Sequence, residues 1–303
     1  MTGPDVKNGG PTASDGGAGG PGKAPSAGGE VVRIAASMTA VCAVGALILG
    51  GVYLATERYA EAARKTSERE AVTQMLGLDA RASVLEVSQY LSPNGDEVVY
   101  RTASEGAVPG RELVFSLDGA LLKNGSAPLA PPPRELRPLG RVFAARRNGA
   151  PAGFLVEGEA RGYKNRIRFF VALDTAWTVQ GVRVVEHEED PGLGAEVATP
   201  WFQGQYAGRT LADVGGLDVT KDPMPEDWRG ALRDLGRLTP TAWQEAHGAQ
   251  RERERKHPIY AVTGATISSR AITLGVRATI LHFRKRWERI APYLETDVRE
   301  ASR

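Results

Sequence analysis

The first sustained change of polarity along the chain comes at Ile34. From there to Thr56 run 23 consecutive residues without a charge. At about 1.5 Å of rise per residue a helix of that length covers roughly 35 Å, more than the ~30 Å hydrocarbon core of a bilayer. Gly45, Gly50 and Gly51 lie inside the run, where membrane helices tolerate small residues and pack closely through them. A cleaved export signal has a shorter apolar region nearer the chain start. The run therefore predicts a retained transmembrane helix over 34–56. Glu57 to Met75 is rich in Glu, Ala and Arg and continues as helix, giving a stalk or cap over 57–82.

From Ser83 onward short apolar runs alternate with turns. Glu97-Val98-Val99-Tyr100 and Glu112-Leu113-Val114-Phe115 read as strands, with a turn at Leu117-Asp118-Gly119. Pro131-Pro132-Pro133 reads as an extended connection. The clearest pattern follows. Ile167–Leu173 and Val179–Val185, joined by a short Asp-containing turn, read as an antiparallel hairpin with one buried and one partly exposed face. Its second strand runs into the segment His187–Gly194, and Trp201, Phe202 and Tyr206 beyond it read as core aromatics. Residues 215–257 are polar and irregular, and their alternating end, Arg251 to Lys256, reads as a solvated surface. An amphipathic helix closes the pattern, with Ile267, Ala271, Leu274, Ala278 and Leu281 on one face.

Composition adds three things. Residues 1–30 hold ten glycines and four prolines and almost no large apolar side chains, so 1–33 is expected to be a disordered tail. The formal charge of +2 is too small to imply a nucleic-acid partner. The basic residues of the last helix (Arg277, Arg284, Lys285, Arg286 and Arg289) suit lipid headgroups or an acidic partner instead. The single cysteine, Cys42, rules out an intrachain disulfide, and His187, His247, His257 and His282 lack the spacing of a zinc site, so no metal is expected. Lys7, Lys23 and Arg33 before the apolar run balance Arg58, Arg64 and Lys65 after it, and charge bias sets no orientation.

Candidate chemistry gathers at Thr263-Gly264-Ala265-Thr266-Ile267-Ser268-Ser269, at the start of the last helix. The unpaired N–H groups and positive dipole end of a helix suit a phosphate, with nucleophilic hydroxyls beside it. The same residues also read as an ordinary helix start with Ser268 or Ser269 as N-cap. Upstream, His187-Glu188-Glu189-Asp190-Pro191-Gly192-Leu193-Gly194 reads as a tight loop leaving a strand. Pro191 fixes one backbone angle, and Gly192 and Gly194 permit positive φ, so backbone can approach a flat ring.

Thr263–Ser268 resembles the flavinylation motif of the periplasmic FMN-binding domain family, Ser/Thr-Gly-Ala-Thr-x-Thr/Ser, and His187–Gly194 resembles that family's His-x-Glu-Thr-Pro-Gly-Leu-Gly signature. Two departures are plain: Tyr260 stands where the family usually has Asp, and Asp190 where it has Thr. The resemblance implies an α+β fold, an antiparallel sheet with flanking helices over 83–295, preceded by one transmembrane helix and followed by a tail at 296–303. It implies FMN joined to Thr266 through a phosphodiester, with Thr263, Gly264, Ala265, Ser268, His187, Glu189, Pro191, Gly192, Leu193 and Gly194 around it. In the family Gly-Tyr opens the central hairpin, and Gly162-Tyr163 fits that place. The resemblance further implies an electron-carrying subunit without catalytic residues of its own, anchored in the cytoplasmic membrane with its domain on the extracytoplasmic side. The implied partners are the other subunits of an Rnf-type ion-translocating complex, membrane lipid and the flavin transferase that attaches the cofactor. The C subunit of the sodium-pumping NADH:quinone reductase and a standalone tethered flavin module are the alternatives.

Overall fold

The computed structural model describes residues 27–78, 82–103, 110–128 and 132–300. It comprises two compact units, residues 1–65 and 66–303. Residues 1–26 of the expected tail lie outside the described residues, as do Pro131 of the proline cluster and 301–303.

The first unit contributes most of α1 (Ala27–Met75), which already begins inside the stretch expected to be tail. Val32–Leu54 is long and apolar enough to cross a membrane, and its large apolar side chains are exposed. Cys42 is exposed on it.

The second unit is built on one antiparallel sheet of eight strands: β1 (Ser83–Leu91), β2 (Glu97–Thr102), β3 (Arg111–Ser116), β4 (Leu121–Ser126), β5 (Arg137–Arg147), β6 (Ala150–Arg161), β7 (Arg166–Leu173) and β8 (Val179–Glu186). Their order across the sheet is β4-β3-β2-β1-β5-β6-β7-β8, so every neighbour except β1–β5 is also a neighbour in sequence. The hairpin expected at 167–185 is β7–β8, with Phe170 opposite Arg183 and Val171 opposite Val182. Its Asp-containing turn is closed by Asp174, whose carboxylate accepts from the N–H groups of Ala176 and Thr178.

One correction concerns that hairpin's faces. β7 is covered on both sides: Ile167, Phe169, Val171 and Leu173 face the main core, while Phe170 and Ala172 join Phe143 and Leu155 in a second core under Met75, Leu76 and Leu78. A strand buried on both faces carries a near-continuous apolar run, and Phe169-Phe170-Val171-Ala172-Leu173 is one. The second core is where the end of α1 meets the sheet, helped by Arg183 donating to Gln74 (3.0 Å) and Arg147 to the Gly77 carbonyl (3.0 Å).

Beyond this cap the same sheet face carries charge. Glu86 (β1), Arg141 (β5), Glu157 (β6), Arg168 (β7) and Glu186 (β8) alternate in sign across five adjacent strands, at 3.7 Å for Glu86–Arg141, 3.1 Å for Arg141–Glu157 and 2.6 Å for Arg168–Glu186. Arg101 (β2), Glu112 (β3) and Lys123 (β4) continue the alternation, with Glu112 held at 2.6 and 2.8 Å by its two cations.

The main core is closed by α6 (Thr266–Glu300), which extends into the expected C-terminal tail. Ile272, Val276, Ile280, Phe283 and Ile290 are its buried row. Of the expected row, Ile267 (60% exposed), Leu274 (39% exposed) and Ala278 instead face outward, Ala271 is half-buried, and Leu281 packs against the edge of the main core. Two apolar rows run along this helix at the same spacing, and the bulkier, β-branched one fits the pleated sheet. Close approach falls at Gly275, where a Cβ would lie 2.8 Å from that of Ala160 on β6. The basic residues of α6 do not form one surface: Arg284 pairs with Glu288, Arg286 turns inward to Gln89 (2.8 Å), and Arg289 lies over Gly119.

Residues 215–257, expected to be irregular, contain α4 (Glu226–Arg233) and α5 (Pro240–Glu254). These helices bury Trp228 and Trp243 in a small core with Met224, Leu232 and Tyr260. The apolar residues here are few but large, which hides a helical period in the sequence. Short helices α2 (Pro200–Gly204) and α3 (Leu211–Gly215) and a parallel pair, β9 (Val219–Thr220) and β10 (Ile259–Tyr260), complete the unit. Phe202 and Tyr206 are fully buried, as expected of core aromatics.

Candidate functional site

The segment entering the Thr263–Ser269 motif is held before it arrives. The Ile259 N–H donates to the Asp218 carbonyl and the Ala261 N–H to that of Thr220, both at 2.9 Å. The side-chain amide of Gln205 bridges the backbone of Tyr260, accepting from its N–H at 2.8 Å and donating to its carbonyl at 3.2 Å. Tyr260 is itself buried: its hydroxyl donates to Glu254 (2.9 Å) and its ring stacks on His257. Burial and the neighbouring Glu254 carboxylate push its phenol well above the usual range.

The chain then turns sharply. The Ala265 N–H reaches the Val262 carbonyl and Gly264 takes φ +80°, a left-handed conformation that favours glycine. Neither Ser268 nor Ser269 is the N-cap. Ala265 accepts the first intrahelical bond, from the Ser269 N–H, so Thr266 stands at the first helical position and the serines one turn deeper. Ser269 Oγ accepts from the Val262 N–H and donates to the Ala265 carbonyl, both at 3.0 Å, locking the turn to the helix. Thr273 extends the lock to Tyr206 (2.8 Å). Thr263 and Gly264 are exposed and Thr266 half-buried. Among the described residues, no group hydrogen-bonds the Thr266 hydroxyl or accepts from the N–H groups of Thr266, Ile267 and Ser268. Three free N–H groups at the end of a long helix, beside an unengaged hydroxyl, make an anion seat.

The second motif lies against the first. Ser268, 1% exposed, donates its hydroxyl to the buried carboxylate of Glu189. That carboxylate also accepts from the backbone N–H groups of Tyr163 (3.2 Å), Lys164 (2.9 Å) and Asn165 (3.4 Å), in the β6–β7 turn. Burial raises the Glu189 carboxyl, but the bonds from Ser268 and the turn outweigh it and hold the group below the usual carboxylate range. Glu188 accepts from the Asn165 side chain (2.6 Å) and Asp190 pairs with Lys164, so three consecutive acidic residues are zipped to three consecutive turn residues. Gly162 and Gly194 wall the carboxylate: a Cβ at either would collide with a Glu189 oxygen, at 2.5 Å for Gly194.

The rest of the loop is open. Pro191, Gly192 and Leu193 are exposed; Gly192 has φ +73° with nothing beside it, and a Cβ at Gly264 would touch the Leu193 side chain at 3.0 Å. His187, at the loop entrance, has a buried Nδ1 with no hydrogen-bond partner among the described residues. Leu193, Tyr163 and Ile267 are exposed apolar side chains on these three segments. The site residues singled out in sequence thus lie on the loop or at the helix start, with Gly162 and Tyr163 beside them in the β6–β7 turn. Lys164 and Asn165 were missed; their only signal was a basic-polar pair complementary to an acidic run more than twenty positions away.

These residues fit a phosphorylated flat ligand: an anion seat, a free hydroxyl, and glycine-bearing backbone with apolar side chains open to solvent. Residues 162–280 match the family model described as FMN-binding domain. Over 138 residues the chain is 28% identical to the G subunit of the proton-translocating ferredoxin:NAD(+) oxidoreductase complex of Clostridium ljungdahlii, covering 46% of this chain and 57% of that one. It is 38% identical over 87 residues to the G subunit of the ion-translocating oxidoreductase complex of Cereibacter sphaeroides, covering 27% and 39%. The chain thus spans about half the length of the curated relatives it matches. Among solved structures, Shewanella oneidensis NqrC aligns over 72% of this chain and 93% of its own, with a TM-score of 0.44 and 17% identity.

Proposed function

We propose, from the premise that residues 162–280 belong to the FMN-binding domain family, that this chain is the membrane-anchored flavoprotein subunit of an Rnf-type ion-translocating complex. Its place is the one held by the G subunits named among its relatives, carrying electrons in a relay between ferredoxin and NAD. FMN, when bound, supplies one- and two-electron exchange; the protein supplies binding, placement and electrostatics. The supporting observation is Thr266, whose hydroxyl is unengaged at the first position of α6 among three free N–H groups. In this reading Thr266 Oγ1 loses its proton and forms a bond to the phosphorus of an activated flavin nucleotide. The donor's bond to its leaving group breaks, and a transferase supplies the catalysis. The free N–H groups hold the phosphate, Thr263, Gly264 and Ala265 shape the approach, and His187 and Pro191–Gly194 lie beside the ring. Ser268 and Glu189 sit beneath.

Thr266→Ala, produced in a host carrying a flavin transferase, should lose the fluorescent flavin band on a denaturing gel, whereas Thr263→Ala should keep at least part of it. Mass spectrometry should place FMN minus water on Thr266 in the parent chain. An unmodified Thr266 from such a host would sink the covalent assignment. We place the second unit outside the cytoplasm, with Val32–Leu54 spanning the membrane. Protease added to spheroplasts should digest the domain, and digestion only in inside-out vesicles would reverse the orientation.

A further inference from the structure

The sequence motif puts Glu189 among the residues around a cofactor, yet its carboxylate has no room for one. A carboxylate offers about four acceptor positions, and here four donors fill them: Ser268 Oγ and the N–H groups of Tyr163, Lys164 and Asn165. Gly162 and Gly194 press so close that neither position tolerates a Cβ. The side chain is 5% exposed. It joins three segments: the β6–β7 turn, the loop 187–194 and the first turn of α6.

We propose that Glu189 is the positioning residue of the flavin seat, a buried anion that touches no ligand and sets where Thr266, Leu193 and Tyr163 stand relative to one another. This rests on the FMN reading above. Through Ser268 it fixes α6 two residues from the acceptor; through its own backbone it fixes the loop; through the three N–H groups it fixes the turn carrying Tyr163. At neutral pH its charge also lies beneath the seat, where a negative charge disfavours adding electrons to a nearby group.

Two variants of the full chain, each made with a flavin transferase, test this. Ser268→Ala cuts the link to α6 and leaves the three backbone donors in place. It should fold and take up flavin about tenfold more slowly, the scale of one lost hydrogen bond to a charged group. Glu189→Gln removes the charge, and the flavin it does carry should have a higher midpoint potential than in the parent, a readout that a purely structural role would not move. A Ser268→Ala chain modified at the parental rate would overturn the positioning role. So would a folded, flavin-loaded Glu189→Gln chain with an unaltered potential. If the parent chain itself takes up no covalent flavin in that host, the FMN reading fails instead, and the two failures are told apart.

Discussion

Glu189 couples the site to pH. Its carboxyl is held below its unfolded value by the donors around it, so its contribution to stability is complete above roughly pH 4.3 and is lost as pH falls through the lower folded value. Thermal midpoints of the parent chain should therefore drop more steeply between pH 7 and 3 than those of Glu189→Gln; parallel curves would mean that the clip adds no stability. Gly194→Ala should be worse than an ordinary surface change, by about 2 kcal/mol, because the added Cβ strikes both the Glu189 carboxylate and Ser268 Oγ. Residue identities at this scale were largely legible, since both motifs are contiguous in the chain. Their mutual contact was not: the Ser268–Glu189 bond joins positions 79 residues apart, and nothing in either run names its partner. Tyr260 was legible only as a departure. In place it is a strut, its backbone clasped by Gln205 and its hydroxyl by Glu254.

At the scale of elements, α6 shows where periodicity stops being informative. Its two apolar rows have equal claims by spacing, and only the shape of the sheet decides between them. Ile280→Ala, on the buried row, should cost about 3 kcal/mol in denaturant unfolding, while Leu274→Ala on the outward row should stay within about 0.5 kcal/mol. Equal effects would mean that the helix packs by its other face. Strands β2, β3, β7 and β8 were readable because alternation or a continuous apolar run survives in each. Helices α4 and α5 were not, since their packing rests on isolated tryptophans among charged residues.

Across the whole molecule, the solvent face of the sheet is an ion-pair ladder with one charge of alternating sign from each strand. Glu157 is the best buried member of its wing, 10% exposed between Arg141 and Arg168. Burial raises its carboxyl, but the two arginines hold it below the usual range. Glu157→Gln should destabilise the protein by about 2 kcal/mol, a value between those for exposed and buried pairs, and the penalty should shrink in molar salt. A penalty indifferent to salt would assign the loss to packing. The extent of the sheet has another consequence. The stretch that matches the FMN-binding domain model begins at 162, in the β6–β7 turn, and contains only β7 and β8 of the eight strands. That match thus begins in a turn across which hydrogen bonding continues without a break. A gene fragment cut where that match begins would leave β7 with an unpaired edge and its apolar faces bare. The limits of that match and of the cooperative sheet fall at different places in the polypeptide.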